Sequence, residues 1–291
     1  MKPIRSFLFV PGNKDSWIEK AATSGADALI LDLEDSVPVT EKVAAREIVA
    51  ARIGWLADRG QRIWVRINKS AYLYDFDDLL AVAQPGLEGV VVSKPEGPED
   101  VHTAVSMVAE AESRNHLPFG SIKLLPILET ARSMQRCYEI AEISRVVGLV
   151  GVTAKNADVG RALKFVWSPG GRETDYFKSR VVMAARAAGK LPIGGLWQHV
   201  HDLEGAEQLA LLDRQLGMTG QLLLHPSNVP IVNRTFSPTP EELAYFRGMI
   251  DALEEAQSAG RASTMYEGEH IDIAHAKTAR DIIGMAGVIQ P

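Results

Sequence analysis

Ala28-Leu29-Ile30-Leu31-Asp32-Leu33, running straight into Glu34-Asp35, is the stretch that decides the fold. It is a short aliphatic run without polar alternation that stops abruptly at two acids. A strand covered on both faces reads this way, as strands do in a parallel sheet. Working outward, the same pattern returns in Ser6–Val10 before Pro11-Gly12, Arg62–Ile67 before Asn68 and Gly89–Ser93 before Lys94-Pro95. It returns again in Lys123–Leu128 before Glu129, Val147–Val152, the weaker Ile193–Trp197, and Gly220–Leu224 before His225-Pro226. Segments with helical spacing lie between these runs: Asp15–Thr23, Thr40–Asp58, Pro98–Arg114, Thr130–Ile143, Tyr176–Ala188 and Leu203–Leu216. Parallel strands need such crossovers. Eight strand-helix units favour a closed α/β barrel, a (β/α)8 TIM barrel, over an open doubly wound sheet. No glycine-rich dinucleotide loop follows the first run.

The barrel is expected over residues 1–236, with a C-terminal helical extension over 237–291 packing on the barrel or a neighbouring subunit. Within the extension, Pro238–Ala259 reads as a helix with capping groups at Ser237–Glu242, Arg261–Gly268 as a loop, and His270–Ala286 as a short helix. A chain of 291 residues can bury one large core. A net charge of −6 argues against a nucleic-acid surface but leaves an anionic substrate open. Cys137 is the single cysteine, so no intrachain disulfide forms; it reads as a buried core thiol. No apolar run is long enough to span a membrane, and the N-terminus lacks a signal-peptide pattern, so a cytoplasmic location is expected.

Barrel enzymes gather their chemistry at the carboxyl ends of the strands. Here those ends carry Asn13, Glu34, Asp35, Arg66, Lys94, Glu129 and His225. Arg66 offers a planar cationic fork for a carboxylate. Glu129 is a hard oxygen ligand suited to Mg²⁺. Glu34 and Asp35 either hold metal-bound water or orient Arg66. Such a set can bind a 2-oxo or 2-hydroxy acid and stabilise an enolate. Lys94 is a candidate substrate contact, read as an ion-pair partner in preference to a Schiff-base lysine. His199 and His201 would share a face on a strand, yet without a further ligand they read as hydrogen-bonded or surface histidines. His225-Pro226 is either catalytic or a structural turn. Tyr72, Tyr74 and Phe76 either form a lid near Arg66 or start a helix.

The ordered motifs Arg5–Gly12 (RSFLFVPG), Leu31–Val37 (LDLEDSV), Val65–Asn68 (VRIN) and Leu128–Ala131 (LETA) resemble the citrate lyase β-subunit-like group, in the superfamily of malyl-CoA and citramalyl-CoA lyases. The resemblance continues through Ser179–Val182, Asp202–Gly205, His225-Pro226 and Gly268–Asp272, and so covers nearly the whole chain. It implies a Mg²⁺-dependent barrel, homotrimeric or homohexameric, that cleaves or forms 3-hydroxyacyl-CoA esters such as malyl-CoA. It implies Arg66 as the substrate-carboxylate arginine, Glu129 as a metal ligand, and Asp272 as an acid-base group reaching a neighbour's site. Arg5 and Pro11-Gly12 fall where the family handles CoA. One departure stands out. The family's second metal ligand is the first aspartate of a D-x-x-x-D-x-G pattern; here Gly151–Gly160 reads GVTAKNADVG, with Ala154 at that place and Asp158 downstream. Asp158 or Asn156 substitutes, or metal binding is weak or lost. Arg161–Arg172 is longer than in typical relatives and carries Trp167. A malyl-CoA-type thioesterase and a non-catalytic barrel subunit are the alternative readings.

Overall fold

The structure, a computed structural model, describes residues 3–152, 154–168 and 171–289. Two positions of the long Arg161–Arg172 stretch, 169 and 170, therefore lie outside the described residues, as does 153. The chain divides into two compact units, one spanning Ile4–Asn233 and the other beginning at Arg234.

The first unit is a closed barrel of parallel strands in sequential order. They are β1 (Ser6–Pro11), β2 (Ala28–Asp32), β3 (Ile63–Arg66), β4 (Leu87–Ser93), β5 (Lys123–Ile127), β6 (Gly148–Val150), β7 (Leu191–Gly194) and β8 (Gly220–Leu223). β8 closes on β1 through Phe7↔Leu222. Helices α1 (Asp15–Ala21), α2 (Lys42–Ala57), α3 (Phe76–Val82), α4 (Pro98–Arg114), α5 (Ala131–Gln135), α6 (Cys137–Ala141), α7 (Asp158–Leu163), α8 (Asp175–Ala187), α9 (Leu203–Leu216) and α10 (Val229–Thr235) complete the order. The outer layer docks through narrow apolar stripes. α2 buries Ala45, Val49, Ile53 and Leu56 at helical spacing. Cys137 is buried, as expected.

The barrel interior is filled, not hollow. Phe7, Ile30, Trp64, Val91, Leu125, Val150 and Ile193 pack together there. Trp64 is the largest of these, and its ring meets Phe7 edge-on at 6.1 Å and 74°. The register between β3 and β4 shifts at Ile63/Trp64, which sets Gly89 beside Trp64. A Cβ on Gly89 would stand 2.3 Å from the indole, so the strand gives up a side chain to let the largest interior residue fit.

Several boundaries depart from the sequence reading. Thr130–Ile143 is broken at Arg136 into α5 and α6. The seventh strand ends at Gly194, because Gly195 leaves extended geometry at φ +97. His199 and His201 therefore lie beyond the strand and share no strand face.

The second unit packs α11 (Pro240–Ser258) against α12 (Ile273–Ile289). Met249, Leu253, Ile271, Ala276 and Ala279 form its core. Thr239 and Glu242 make a reciprocal capping box with Pro240 at the first turn. Between the helices, β9 (Thr264–Tyr266) pairs antiparallel with β10 (Glu269–Ile271) where a loop was expected. Glu267 and Gly268 both have positive φ (45 and 87), the geometry of a tight two-residue hairpin turn. Among the described residues no helix is long and apolar enough to cross a membrane.

Candidate active site at the barrel mouth

The register of β2 against β3 sets Asp32 opposite Arg66. Asp32 ends its strand fully buried and accepts from Arg66 Nε at 2.7 Å and Nη2 at 2.6 Å. It also accepts from the Glu34 amide at 2.9 Å and Ser36 Oγ at 2.5 Å. Burial pushes its carboxyl up, but the Arg66 hydrogen bonds and charge, with Ser36 and the Glu34 amide, outweigh that and hold it below the usual carboxylate range. Sequence reasoning missed Asp32, because it sits inside the apolar run. The fork of Arg66 is thus half occupied by the protein itself. Its Nη1 edge faces Glu34 Oε2 at 3.2 Å and Asp35 Oδ2 at 3.8 Å, while Phe9 lies under the guanidinium at 4.8 Å. Burial opposes its charge, yet the surrounding acids keep Arg66 above its ordinary pKa.

Lys94 brings the second cation. Its Nζ reaches Glu34 Oε1 at 3.1 Å, Asp35 Oδ2 at 2.6 Å and Asp158 Oδ2 at 3.6 Å. The ion-pair reading holds. Burial disfavours the ammonium, but Asp35 and Glu34 raise its pKa above the ordinary value. Lys94 adopts the left-handed region at φ +53. Two neighbours clamp that turn. Lys69 Nζ donates to the Lys94 carbonyl at 2.7 Å, and Tyr74 Oη donates to the Ser93 carbonyl at 3.0 Å. Tyr74 is therefore a buried brace, not a lid, and Phe76 starts α3. Lys42 braces the other turn, donating to the carbonyls of Leu33 at 2.9 Å and Glu34 at 2.7 Å. Glu34 and Asp35 are both committed to Arg66 and Lys94, which favours the orienting role.

Glu34 Oε2 is buried without a hydrogen bond but is ion-paired to Arg66, whereas Glu129 makes neither contact among the described residues. Its Oε2 is buried with no hydrogen-bond partner. Burial pushes its carboxyl from 4.5 up to about 7, against the downward pull of Lys94 and Arg66, with Asp158 and Glu34 adding to the rise. A buried, unpartnered carboxylate oxygen fits a cation or a substrate donor. Asp158 opens α7 and lines the same cavity, so Glu129 and Asp158 are the carboxylates that would hold Mg²⁺, which commonly takes one or two protein carboxylates with water and substrate. Asp158 also pairs with Arg161. Among the described residues no group of three or more His, Cys, Asp or Glu side chains converges as a richer metal cage would. Ala154 lines the cavity without a side-chain oxygen to offer, and Asn156, exposed at φ +57, lines neither mouth cavity.

Two cavities meet at Asp35, Glu129 and Asp158, both within the barrel unit. One of about 520 Å³ is mainly apolar and runs from Arg66 past Phe9 and Pro11 to Trp17 and Pro226. The other, about 950 Å³, is polar and includes Lys42, Lys69, Arg132 and Arg161. Pro11 thus lines the apolar cavity. Gly12 is a packing residue: its amide donates to the Asp32 carbonyl at 2.8 Å, and a Cβ there would stand 2.7 Å from that oxygen.

Arg5 and Asp272 are not brought to the mouth, whereas His225 lines the apolar cavity there. Arg5 precedes β1, at the end opposite Pro11, and binds Asp27 through Nε at 2.8 Å and Nη2 at 2.7 Å. Six strand residues, roughly 20 Å, separate the two ends, so Arg5 does not reach CoA at the mouth of its own barrel. Asp272 belongs to the second unit. Its Oδ1 accepts from the Ala274 amide at 2.9 Å and meets His275 Nδ1 at 2.7 Å, so within the chain it caps α12. The His275 hydrogen bond holds its carboxyl below the usual value, opposite to the rise expected of a buried acid. His225 caps the turn Pro226–Asn228 by accepting from the Ser227 amide at 3.2 Å, and stands 5.3 Å from the His201 ring. These contacts are those of a structural turn, at a place that also lines the apolar cavity.

Known proteins resemble this chain over most of its length. The family described as HpcH/HpaI aldolase/citrate lyase matches residues 5–226. The citrate lyase subunit beta of Leuconostoc mesenteroides subsp. cremoris is 29% identical over 92% of this chain and 88% of that protein. A (3S)-malyl-CoA thioesterase of Cereibacter sphaeroides is 30% identical over 99% and 96%. The crystal structure of CitE from Mycobacterium tuberculosis with magnesium, acetoacetate and coenzyme A superposes with TM-score 0.77 at 26% identity, covering 98% of each chain. Since the match runs from Arg5 before the first strand to Pro226 after the last, the chain belongs to the HpcH/HpaI aldolase/citrate lyase family.

Proposed function

We propose that this chain cleaves or forms the carbon–carbon bond of a 3-hydroxyacyl-CoA ester such as malyl-CoA or citramalyl-CoA. The observation that carries the reading is the buried, unpartnered Glu129 oxygen beside two braced cations, Arg66 and Lys94, in a cavity with one polar and one apolar arm. Cleavage breaks the bond between the hydroxyl-bearing carbon and the thioester's α-carbon: the hydroxyl gives up its proton and becomes the carbonyl of the 2-oxo acid, and the thioester enolate left behind takes up a proton at carbon. The Nη1 edge of Arg66, which Asp32 leaves open and Glu34 flanks at 3.2 Å, binds the substrate carboxylate, and Asp32 keeps the guanidinium from swinging away. Lys94 sets Glu34 and Asp35, so the acids beside Arg66 do not turn toward the incoming anion. Glu129 and Asp158 would hold Mg²⁺, which would supply positive charge against the anionic substrate. The apolar arm past Phe9 and Pro11 takes the thioester chain. Asp272 from a neighbouring subunit of a trimer or hexamer returns the proton, which requires that assembly to release it from His275.

Likeness to a thioesterase over almost the whole chain supports a second reading, hydrolysis of the same class of ester. Incubation with acetyl-CoA, Mg²⁺ and glyoxylate or pyruvate separates the two. A new 3-hydroxyacyl-CoA by mass spectrometry supports the lyase. Release of free CoA without any condensed product refutes it.

A further inference from the structure

The apolar cavity has a wall that the proposed reaction does not yet use. On the β6–α7 and β7 side, Val152, Ala154, Ala157, Val159 and Leu196 line it beside Arg66 and Glu129, with Asp158 the one polar side chain there among the described residues. The wall's small members, Ala154 and Ala157, leave room at that point. The hydroxyl-bearing carbon of the substrate carries four groups. Its hydroxyl and carboxylate belong with Glu129 and Arg66, and its thioester arm leaves past Phe9 and Pro11. The fourth substituent is left to face the apolar wall. A hydrogen or a charged group there would waste or oppose this lining, whereas an alkyl chain would displace water from it.

We propose that the wall around Ala154 makes this site selective for an unbranched alkyl substituent longer than methyl, so that the 2-oxo acid it releases or accepts is of the 2-oxobutanoate or 2-oxopentanoate class. The inference rests on the lyase reading for its chemistry but not for its test, which is binding. Glyoxylate, pyruvate, 2-oxobutanoate and 2-oxopentanoate are titrated calorimetrically into the wild type with Mg²⁺ present. Affinity is expected to rise roughly three- to fourfold per added methylene, the value of burying one such group. In Ala154→Leu, whose folding is checked by its melting profile, the order should reverse, with 2-oxopentanoate binding more weakly than pyruvate. Flat or falling affinity beyond glyoxylate in the wild type overturns the proposal. So does an unchanged order in the leucine variant, or no binding of any member. If the chain-length order holds but no acid condenses with acetyl-CoA, the wall stands and the lyase reading fails.

Discussion

Consider Glu129→Gln in protein stripped of divalent cations. Glu129 titrates near 4.5 as a free side chain and at about 7 in the fold. Across that interval the folded protein holds a proton that the unfolded chain has released. Stability from this group is therefore fully present below pH 4.5, and declines as the pH rises through 7. The interval corresponds to about 3 kcal/mol. Glutamine removes the titration, so the two proteins should lose or gain stability together except across this window. Relative to its standing at about pH 5, the variant should gain about 2.5 kcal/mol on the wild type by about pH 8.5. Urea unfolding followed by tryptophan fluorescence, with chelator present, measures the difference. Added Mg²⁺ should restore the wild type at the higher pH and leave the variant unmoved. Equal pH slopes in the two proteins would refute the claim that Glu129 is a desolvated carboxyl waiting for a cation.

Three further outcomes are expected. Asp32→Asn leaves Arg66 buried without its anionic partner and should cost about 3–5 kcal/mol by urea unfolding at neutral pH, with the difference shrinking as acid protonates Asp32 in the wild type; a loss under about 1 kcal/mol would contradict the pairing. Ala154→Asp adds an anionic oxygen to the wall beside Glu129 and should tighten Mg²⁺ on the order of tenfold by calorimetry; no change would place position 154 away from the cation. Arg66→Ala and Asp272→Asn should each be inactive, and co-assembled in equal amounts should recover roughly a quarter of the activity; inactive mixed oligomers would remove the shared site.

The barrel was legible because its strands are covered on both faces and so carry unbroken apolar runs that end in charge. Glu34, Asp35, Arg66, Lys94 and Glu129 followed directly, since the end of a strand in a barrel is a position in space as well as in sequence. Asp32 was hidden by the same logic: one acid inside an aliphatic run carries no positional signal until the β2–β3 register sets it across from Arg66. Lys69 and Tyr74 were hidden because they act on backbone carbonyls, which have no sequence signature. Arg5 was misplaced by motif proximity, since the strand between Arg5 and Pro11 sends them to opposite ends of the barrel. The β9–β10 hairpin was missed because three-residue strands are too short to show alternation. Asp272 shows what one chain leaves open: its local hydrogen bonds describe a helix cap, and a catalytic role requires a partner that changes them.

The most direct test of the central claim is cleavage of malyl-CoA and citramalyl-CoA in deuterium oxide with Mg²⁺, read by mass spectrometry of both products. Carbon–carbon cleavage through a thioester enolate should give glyoxylate or pyruvate together with acetyl-CoA carrying one solvent-derived deuterium at its methyl carbon. Free CoA with intact malate or citramalate, and no deuterated acetyl-CoA, would contradict the account.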